Sequence, residues 1–283
     1  MPIFNNYGRS GLPFGRFAIV GIIAVVALIS YFAKYEKNPL TGEYQPVAYS
    51  PQQEVALGLQ AAPQMAQEMG GVLSAQRDPR AARVHEVGQK LVRMSKASQS
   101  AYAQNFNFYL LSDSQTVNAF ALPGGQIFIT LALYERLANE AQLAGVLGHE
   151  IGHVIHRHTS EQMAKGQLGQ SLVGAVAMGT GDQSATYAAG LASKMLTLKY
   201  GRDDEIESDT WGLITMEAAG YDPSQMLAVM NTLKQASGGG GRGPSMLATH
   251  PDPDARIGRI SQYLDQKFPQ GVPANLTGGP PLR

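Results

Sequence analysis

The sequence contains no cysteine, and it has no excess of charge of either sign. Without cysteine the chain can form no disulfide, no thiolate nucleophile, no cysteine-ligated zinc site and no lipoprotein-type acylated cysteine. Its 22 basic and 22 acidic residues leave a formal net charge of zero. No basic face is therefore expected, and nucleic acid is excluded as an expected partner.

Long apolar runs are scarce, and the clearest one lies near the N-terminus. Residues 17–33 contain no charged side chain and, as a helix, would span about 25 Å, slightly less than a hydrocarbon core of roughly 30 Å. Arg16 and Lys34 flank the run and can reach the lipid headgroups. We predict that residues 1–37 form a tail and a single transmembrane anchor. A cleaved signal peptide, which would release the chain into the periplasm, is the alternative.

The charges beside this run also predict its orientation. Arg9, Arg16 and the terminal amine precede it, whereas Lys34 and Lys37 follow it. Because positive charge is retained on the cytoplasmic side, this slight excess favours an N-terminus inside the cell. The bulk of the chain is then expected to be periplasmic or otherwise extracytoplasmic.

The remaining sequence indicates one domain between two polar segments. Residues 38–50 are rich in Pro, Gly and Tyr and predict a linker, and residues 269–283 are rich in Pro and Gly and predict a disordered tail. Between them, residues 51–268 show mostly helical spacing. One strand is predicted at 106–111, and two more within 116–130 are joined at Pro123-Gly124-Gly125. The expected fold class is therefore α+β and mostly helical.

Three helical features are predicted within this domain. Pro63 predicts a kink or a break in the first helix. A buried helix should begin after the N-cap Asn139 and run through His158. Residues 165–198 are rich in small side chains and predict two loosely connected helices that form a mobile lid.

Residues 149–153 read His-Glu-Ile-Gly-His and predict a metal site. Two histidines four residues apart lie on one face of a helix, so His149 and His153 can bind the same ion. Glu150 can then reach a water molecule without ligating the metal, and zinc lowers the pKa of such a water toward ~7. A structural alternative, a helix with hydrogen-bonded core histidines, is disfavoured because burying several histidines without partners is costly. His85-Glu86 begins a similar pattern, but no second histidine follows four residues after His85.

A catalytic zinc site needs a third protein ligand. His156 lies about 10.5 Å along the helix from His149, too far to share the ion. His158 is expected to be a surface residue or a neighbour of a ligand. An acidic helix start at 203–209 offers a better candidate: Glu205 as ligand, and Asp209 as acceptor for a ligating histidine's free N–H. Glu207 should point toward solvent. A solvated acidic helix start is the alternative.

These motifs together resemble the gluzincin metallopeptidases of the HtpX, BepA/LoiP, Oma and CAAX prenyl-protease type. The resemblance rests on the sequences HEIGHVIHRH at 149–158, GRDDEIESD at 201–209, NAFALPGGQIFIT at 118–130 and THPDPDARI at 249–257. It implies a zincin-like fold with one zinc ion held by His149, His153 and Glu205, and catalysis by Glu150. Many members have several membrane spans, whereas this sequence shows one, which favours the periplasmic branch.

The resemblance also assigns roles outside the metal ligands. Asp209 would support a ligand, His250 would gate the site or stabilise an oxyanion, and Arg256 would form a structural or transition-state ion pair. An ordinary loop histidine and helix arginine are the alternatives. An extended polypeptide substrate would pair with the strand before the hairpin turn, formed by Asn118, Ala119, Phe120, Ala121 and Leu122. Such pairing does not depend on the sequence of the peptide.

The motifs predict a membrane-anchored zinc endopeptidase that cleaves internal peptide bonds, and the resemblance implies that its substrates are misfolded, membrane or envelope proteins, as in protein quality control. A chaperone or assembly factor with a latent or structural zinc site is the first alternative, because the same edge strand could bind clients without cutting them. A zinc hydrolase acting on other bonds is the second. Cleavage of casein and the metal content of the purified protein would separate these possibilities.

Overall fold

The computed structural model describes residues 14–180, 200–236, 245–251 and 253–282. The predicted lid therefore lies partly outside the described residues, from 181 onward. A 3-10 turn, Lys96–Gln99, follows the third helix. The helices are α1 Phe14–Phe32, α2 Pro51–Glu68, α3 Pro79–Met94, α4 Leu131–Tyr134, α5 Glu140–Ile155, α6 His158–Thr180, α7 Arg202–Ala218, α8 Gln225–Gln235, α9 Met246–Thr249 and α10 Pro253–Lys267. The strands are β1 Tyr35–Lys37, β2 Tyr44–Pro46, β3 Asn107–Leu111, β4 Ala119–Leu122 and β5 Gln126–Thr130.

A small mixed sheet in the order β3-β5-β4 lies beside the central helices. Strand β3 pairs in parallel with β5, and β4 returns antiparallel to β5, so the predicted hairpin is present. Gly124 and Gly125 form its turn with φ of 78° and 106°, values that glycine adopts without steric cost. Strand β4 is left at the edge of the sheet, and the mostly helical α+β class is confirmed.

Helix α5 is the centre of the domain, with all sixteen of its residues buried. Asn139 caps it by accepting a hydrogen bond from the main-chain N–H of Gln142 at 3.0 Å. The predicted extension of this helix through His158 is wrong. The helix ends at Ile155, because Arg157 adopts a left-handed conformation with φ of 59°, and α6 begins at His158. The turn separates His156 and His158 from the straight course of α5.

Helix α2 continues through Pro63, so the predicted break does not occur. Proline removes one main-chain hydrogen bond, but burial of the residues that follow it compensates. Met65 and Met69 are each 1% exposed, and they pack in a cluster with Leu122 and Phe128 of the sheet. The capping box of Ser50 and Gln53 holds the start of the helix.

The segment predicted as a linker, residues 38–50, is packed against the domain. It contains β2, which pairs with β1. The Asn38 side chain donates to the carbonyl of Ile155, and the Gln45 side chain donates to the carbonyl of His156, each at 2.7 Å. These carbonyls lie at the C-terminus of α5, where no helical N–H can reach them.

The prediction of a disordered C-terminal tail is wrong for the described residues up to 282. The main-chain N–H groups of Glu140 and Ala141 donate to the carbonyls of Pro280 and Gly278, at 3.0 and 2.9 Å. The N–H of Leu282 donates to the carbonyl of Ala138 at 3.1 Å. The tail thus supplies acceptors to free donors in the first turn of α5. Segments at both ends of the domain therefore complete the two ends of this helix.

Helix α1 presents apolar side chains to its surroundings. Ile22 is 63% exposed and Ile29 is 64% exposed, while the helix packs against α6. Lys34, two residues after the helix, donates a hydrogen bond to Gln167 of α6. Within the described residues, no helix combines the length and the apolar character needed to cross a membrane. This finding does not support the predicted transmembrane anchor.

Candidate metal centre

Helix α5 places the two histidines of the motif side by side. His149 and His153 are each 1% exposed, and their rings meet edge to face at 81°. The Nε2 atoms of the two rings are 3.0 Å apart. Glu150, on the same helix, is equally buried and directs Oε1 to 3.8 Å from Nε2 of His250.

Glycines allow α7 to approach this helix closely. A Cβ on Gly152 would lie 2.8 Å from the Cα of Ser208, and one on Gly148 would lie 3.2 Å from the Cα of Gly212. A larger residue at either position would push the two backbones apart. The close approach brings the acidic side of α7 to the histidines.

Two acidic residues of α7 reach the histidines from different sides. Glu205, which is fully buried, places Oε2 3.6 Å from Nε2 of His149 and Oε1 3.5 Å from Nε2 of His153. Asp209 lies one turn later and accepts a hydrogen bond from Nδ1 of His149 at 2.8 Å. These contacts join residues that are more than 50 positions apart in the sequence.

The set of donor atoms fits a divalent cation. Because the Asp209 carboxylate can only accept, Nδ1 of His149 carries the proton, and its Nε2 presents a lone pair to the shared space. This lone pair, the second imidazole and the Glu205 carboxylate converge on one space, where a cation could bind all three. Imidazole and carboxylate are ligand types that zinc uses. His149, His153, Glu205 and His250 form one group able to hold a metal ion.

His250 completes this group from the opposite side. It follows helix α9, is 1% exposed, and its Nδ1 lies 2.9 Å from Oε1 of Glu205 and 3.2 Å from Nε2 of His149. Its Nε2 and the Oε1 of Glu150 are buried, and neither has a hydrogen-bond partner in the part of the chain that the structure describes. Two unpaired polar atoms thus face each other beside the metal ligands.

Arg256 of α10 links the two acidic residues of α7. It donates from Nε and Nη2 to Asp209 at 2.7 and 2.6 Å, and its Nη1 forms an ion pair with Glu205 at 2.8 Å. The side chain is 2% exposed, so the pairing takes place away from water. Arg256 therefore holds both carboxylates in the orientation that faces His149.

Burial and neighbouring charges set the protonation of the site. Burial raises the pKa of Glu150, and it lowers the pKa of His153, which favours the neutral imidazole that binds metals. Burial alone would raise the pKa of Glu205, but His250, His149 and Arg256 bring it below its ordinary value. The pKa of Asp209 is also lowered, because Arg256 outweighs the effect of burial. Both carboxylates are therefore anionic at neutral pH.

Comparison with known proteins agrees with this geometry. Residues 78–264 match the family described as Peptidase family M48, a span that includes α5, α7 and His250. The chain belongs to peptidase family M48. The family to which the sequence motifs pointed is thereby confirmed.

Several named proteases are similar in sequence to this M48 chain. The Beta-barrel assembly-enhancing protease of Yersinia pestis is 31% identical over 195 residues, which are 66% of this chain and 39% of that protein. Its counterpart from Escherichia coli (strain K12) is 29% identical over 198 residues, or 67% and 40% of the two chains. Mitochondrial metalloendopeptidase OMA1 of Schizosaccharomyces pombe is 26% identical over 248 residues, or 88% and 72%. The chain spans about two fifths of the length of the bacterial relatives.

Two further residues contact His153 in the M48 site, and sequence reasoning missed the first of them. Tyr200, just before α7, stacks on His153 with ring centroids 4.0 Å apart and bonds through its hydroxyl to Thr159 at 3.0 Å. His158 is buried, and its Nδ1 lies 2.9 Å from Nδ1 of His153. Of the two positions expected for His158, the surface and the neighbourhood of a ligand, the structure therefore has the second.

The expected solvent-facing position of Glu207 is only partly correct. Its Oε2 lies 3.0 Å from Nε2 of His158 and 3.4 Å from Nδ1 of His156, and the side chain is only 36% exposed. Hydrogen bonds with His156 and His158 lower the pKa of Glu207 to about 2. Helical periodicity correctly placed Glu207 on a different face of α7 from Glu205. It could not show that the turn at Arg157 brings His156 and His158 to the face that carries Glu207.

The strand predicted to bind substrate lies at the edge of the sheet, near the histidines. The side chains of Ala119, Ala121 and Leu122 are buried, and that of Phe120 is partly buried. Asn118, which precedes the strand, accepts a main-chain hydrogen bond from Thr130 at 2.9 Å. Since hydrogen-bonded and non-bonded pairs alternate in an antiparallel ladder, the main-chain groups of Ala119 and Ala121 face away from β5.

Proposed function

We propose that this M48 chain is a zinc-dependent endopeptidase that hydrolyses internal peptide bonds. The observation that carries the proposal is the convergence of His149, His153 and Glu205 around one point, with the Glu150 carboxyl buried beside it. The three would hold the metal, and Asp209 and Arg256 would fix the orientation of His149 and Glu205. When bound, zinc polarises a substrate carbonyl and lowers the pKa of water.

Glu150 is the group that moves protons in this proposal. Its raised pKa makes the carboxylate a stronger base than an exposed glutamate, so it can accept a proton from the attacking water. The same carboxyl then returns the proton to the amine that leaves the cleaved bond. Its Oε1 has no hydrogen-bond partner among the described residues, so it is free to take either role.

We further propose that the substrate is a polypeptide bound in an extended conformation along β4. Ala119 and Ala121 are buried, so their outward main-chain groups must be uncovered before they can add one more strand to the sheet. Main-chain pairing does not discriminate between sequences. One end of this edge is occupied, because Met246 of α9 donates its N–H to the carbonyl of Val117 at 3.0 Å. Peptide binding along the whole edge would require α9 to move.

His250 is proposed to gate the metal centre. It occupies the corner of the ligand group that a substrate carbonyl or water would need, and it lies directly after α9. The movement that frees the edge of β4 would therefore also withdraw His250. We expect His250→Ala to raise the rate of casein cleavage at unchanged metal content, and a rate at or below that of the native chain would contradict gating.

The names of the relatives and the exposed side chains of α1 support a proposal for the cellular role. Relatives carry the names of a protease that enhances β-barrel assembly and of a mitochondrial metalloendopeptidase, which supports a role in the quality control of misfolded or envelope proteins. We propose that α1 attaches the chain to a membrane with the domain in the periplasm, supported by its exposed side chains Ile22 and Ile29. Loss of vesicle binding in Ile22→Asp/Ile29→Asp would support attachment, and unchanged binding would contradict it.

The peptidase proposal is tested with Glu150→Gln. The amide preserves the size of the side chain but cannot accept the proton, so the variant should bind as much zinc as the native chain and lose casein cleavage by about 100-fold or more. The exposed Glu86→Gln substitution on α3 is a matched control. Native rates in Glu150→Gln would refute the role of Glu150.

A second function is favoured by the position of His250. With this side chain in the fourth corner of the ligand group, the site is closed, as a structural or latent metal site would be. The chain would then act as a chaperone or assembly factor that holds clients on β4. Zinc-loaded protein that binds unfolded casein but never cleaves it, in the native form and in His250→Ala alike, would establish this alternative.

A further inference from the structure

A second group of potential metal-ligand atoms lies next to the metal centre, and His158, which belongs to it, also contacts His153. It comprises His156, at the C-terminus of α5, His158, at the start of α6, and Glu207 of α7. The two imidazole rings stack with centroids 5.3 Å apart. Glu43, from the β1–β2 loop, adds a carboxylate whose Oε2 lies 3.1 Å from Nδ1 of His156.

The spacing of these atoms matches that of the metal centre. Oε2 of Glu207 lies 3.0 Å from Nε2 of His158 and 3.4 Å from Nδ1 of His156. The corresponding distances from the Glu205 oxygens to Nε2 of His149 and His153 are 3.6 and 3.5 Å. Both sets consist of two imidazoles and one carboxylate, although the rings of the second are nearly parallel, at 23°, whereas those of the first meet at 81°.

The surroundings suit a cation that enters from solvent. His156 and His158 are buried, whereas the side chains of Glu207 and Glu43 are 36% and 43% exposed and leave a route to the group. The two carboxylates can balance the charge of a divalent ion. Imidazole with carboxylate is a ligand set suited to zinc and to other late first-row divalent metals.

We propose that His156, His158 and Glu207 bind a second divalent transition-metal ion, with Glu43 positioned to complete the site. This ion would join the β1–β2 loop to the ends of α5 and α7. It requires a lone pair on Nε2 of His158 and on Nδ1 of His156, and it replaces the hydrogen bonds that these atoms make to Glu207 and Glu43. The proposal does not depend on peptidase activity.

The second ion should oppose the first, a consequence that rests on the proposed zinc site. When His153 binds zinc through Nε2, its proton is on Nδ1. This N–H donates a hydrogen bond to Nδ1 of His158, 2.9 Å away. If a second ion binds Nε2 of His158, the proton of that ring must be on Nδ1. The Nδ1–H groups of His153 and His158 then face each other, and the hydrogen bond between the two rings is lost. The loss of an outer hydrogen-bond partner weakens metal binding by roughly 10–100-fold, and by linkage the weakening is mutual.

Cobalt binding to the full chain tests this inference. The number of bound Co²⁺ ions can be measured by absorption, and a bound Co²⁺ ion quenches the fluorescence of a nearby tryptophan. Trp211, the single tryptophan, lies edge-on to His156 with ring centroids 5.7 Å apart. We expect two equivalents of Co²⁺ in the native chain and one in His156→Gln, which should also lose most of the fluorescence quenching. Glu207→Gln, a milder change, should likewise bind one. His85→Ala alters the one histidine outside both groups and should bind two.

A variant without the first site separates this inference from the peptidase proposal. His149→Ala/Glu205→Ala should retain one equivalent and the quenching of Trp211, with roughly 10–100-fold tighter binding at the second site than in the native chain. Equal stoichiometry in the native chain and His156→Gln would overturn the second site. Equal second-site affinity in the native chain and the double variant would overturn the coupling. Two equivalents in the double variant would instead refute the first site.

Discussion

At the scale of single residues, each histidine of the metal centre is defined by what both of its ring nitrogens contact. His149 directs Nε2 to the ligand group and Nδ1 to Asp209, and His153 directs Nε2 to the same group and Nδ1 to His158. Partners of this kind fix the tautomer that leaves a lone pair for the metal. The affinity of the site therefore depends on residues that do not touch the ion.

Asp209→Asn tests this dependence. The amide can still lie beside Nδ1 of His149, but it loses the negative charge that pairs with Arg256, so Arg256 is left buried with one carboxylate fewer. We expect zinc affinity to fall roughly 10–100-fold, measured by competition with a chelator of known affinity. The exposed Asp265→Asn is the control. Native affinity in Asp209→Asn would show that this carboxylate does not support the ligand.

The sequence was informative at this scale where local spacing decides the geometry. His149 and His153 follow from their four-residue separation, and Glu205 with Asp209 follow from the same rule on another helix. Tyr200 and Glu207 were missed because their contacts arise between elements far apart in the chain. Only the observed positions of α6 and α7 bring Glu207 to His158.

At the scale of elements, the meeting of α5 and α7 determines whether the metal centre exists. Glycines on both helices allow the backbones to touch, and His149 and Glu205 then face each other. The sequence predicted both helices, and the shared ligand set required them to meet. It did not predict how closely their backbones approach, because a glycine that allows close packing looks the same in the sequence as one that is merely tolerated. The early end of α5 was missed for a related reason: no residue type marks the left-handed Arg157.

Gly152→Ala tests the role of this contact. The new methyl group would lie 2.8 Å from the Cα of Ser208, so α7 must move away. We expect a loss of about 1–3 kcal/mol in the free energy of unfolding, together with reduced zinc content. Gly166→Ala on α6, where the added carbon meets nothing within 4 Å, should cost nothing. Equal stability and zinc content in the two variants would contradict the packing account.

Helix α3 offers a prediction for pH dependence. Asp78 caps this helix through the N–H of Arg80, and hydrogen bonds with the Arg80 side chain lower the pKa of Asp78 to about 2. Because the ordinary pKa of Asp is near ~3.9, this group binds more protons in the unfolded chain. Its stabilising effect is therefore complete above about pH 4 and is lost as the pH falls through about 2.

Urea unfolding of the native chain and Asp78→Asn between pH 6 and pH 2 measures this effect. Asparagine caps a helix about as well as aspartate but does not ionise, so the stability difference between the two proteins should shrink as the pH falls. Asp78→Ala removes the cap itself and should cost about 1 kcal/mol near neutral pH. A stability difference independent of pH would contradict the shifted pKa.

At the scale of the whole molecule, the segments expected to be irregular complete the central helix. The predicted linker satisfies carbonyls at the C-terminus of α5, and the predicted disordered tail satisfies N–H groups at its start. Composition could not reveal this, since main-chain hydrogen bonds form with any residue type, and Pro and Gly are common in both ordered and disordered coil. The mostly helical α+β class was predictable because it depends on periodicity within each element.

Removal of residues 278–283 tests the contribution of the tail. The truncated chain loses the main-chain acceptors that Glu140 and Ala141 use, and also the bond from Leu282 to Ala138. At about 1 kcal/mol for each hydrogen bond, we expect a loss on the order of 3 kcal/mol in the free energy of unfolding. Zinc content measured below the unfolding transition should be retained, because the tail binds the end of α5 remote from His149. An unchanged unfolding temperature would show that the tail does not stabilise the domain.

The most direct test of the account is a crystallographic anomalous difference map of the zinc-loaded protein, collected on both sides of the zinc absorption edge. The account predicts a strong zinc peak within bonding distance of His149, His153 and Glu205, and loss of that peak in Glu205→Ala. A zinc ion held without Glu205, or no zinc between these side chains in the native protein, would contradict it.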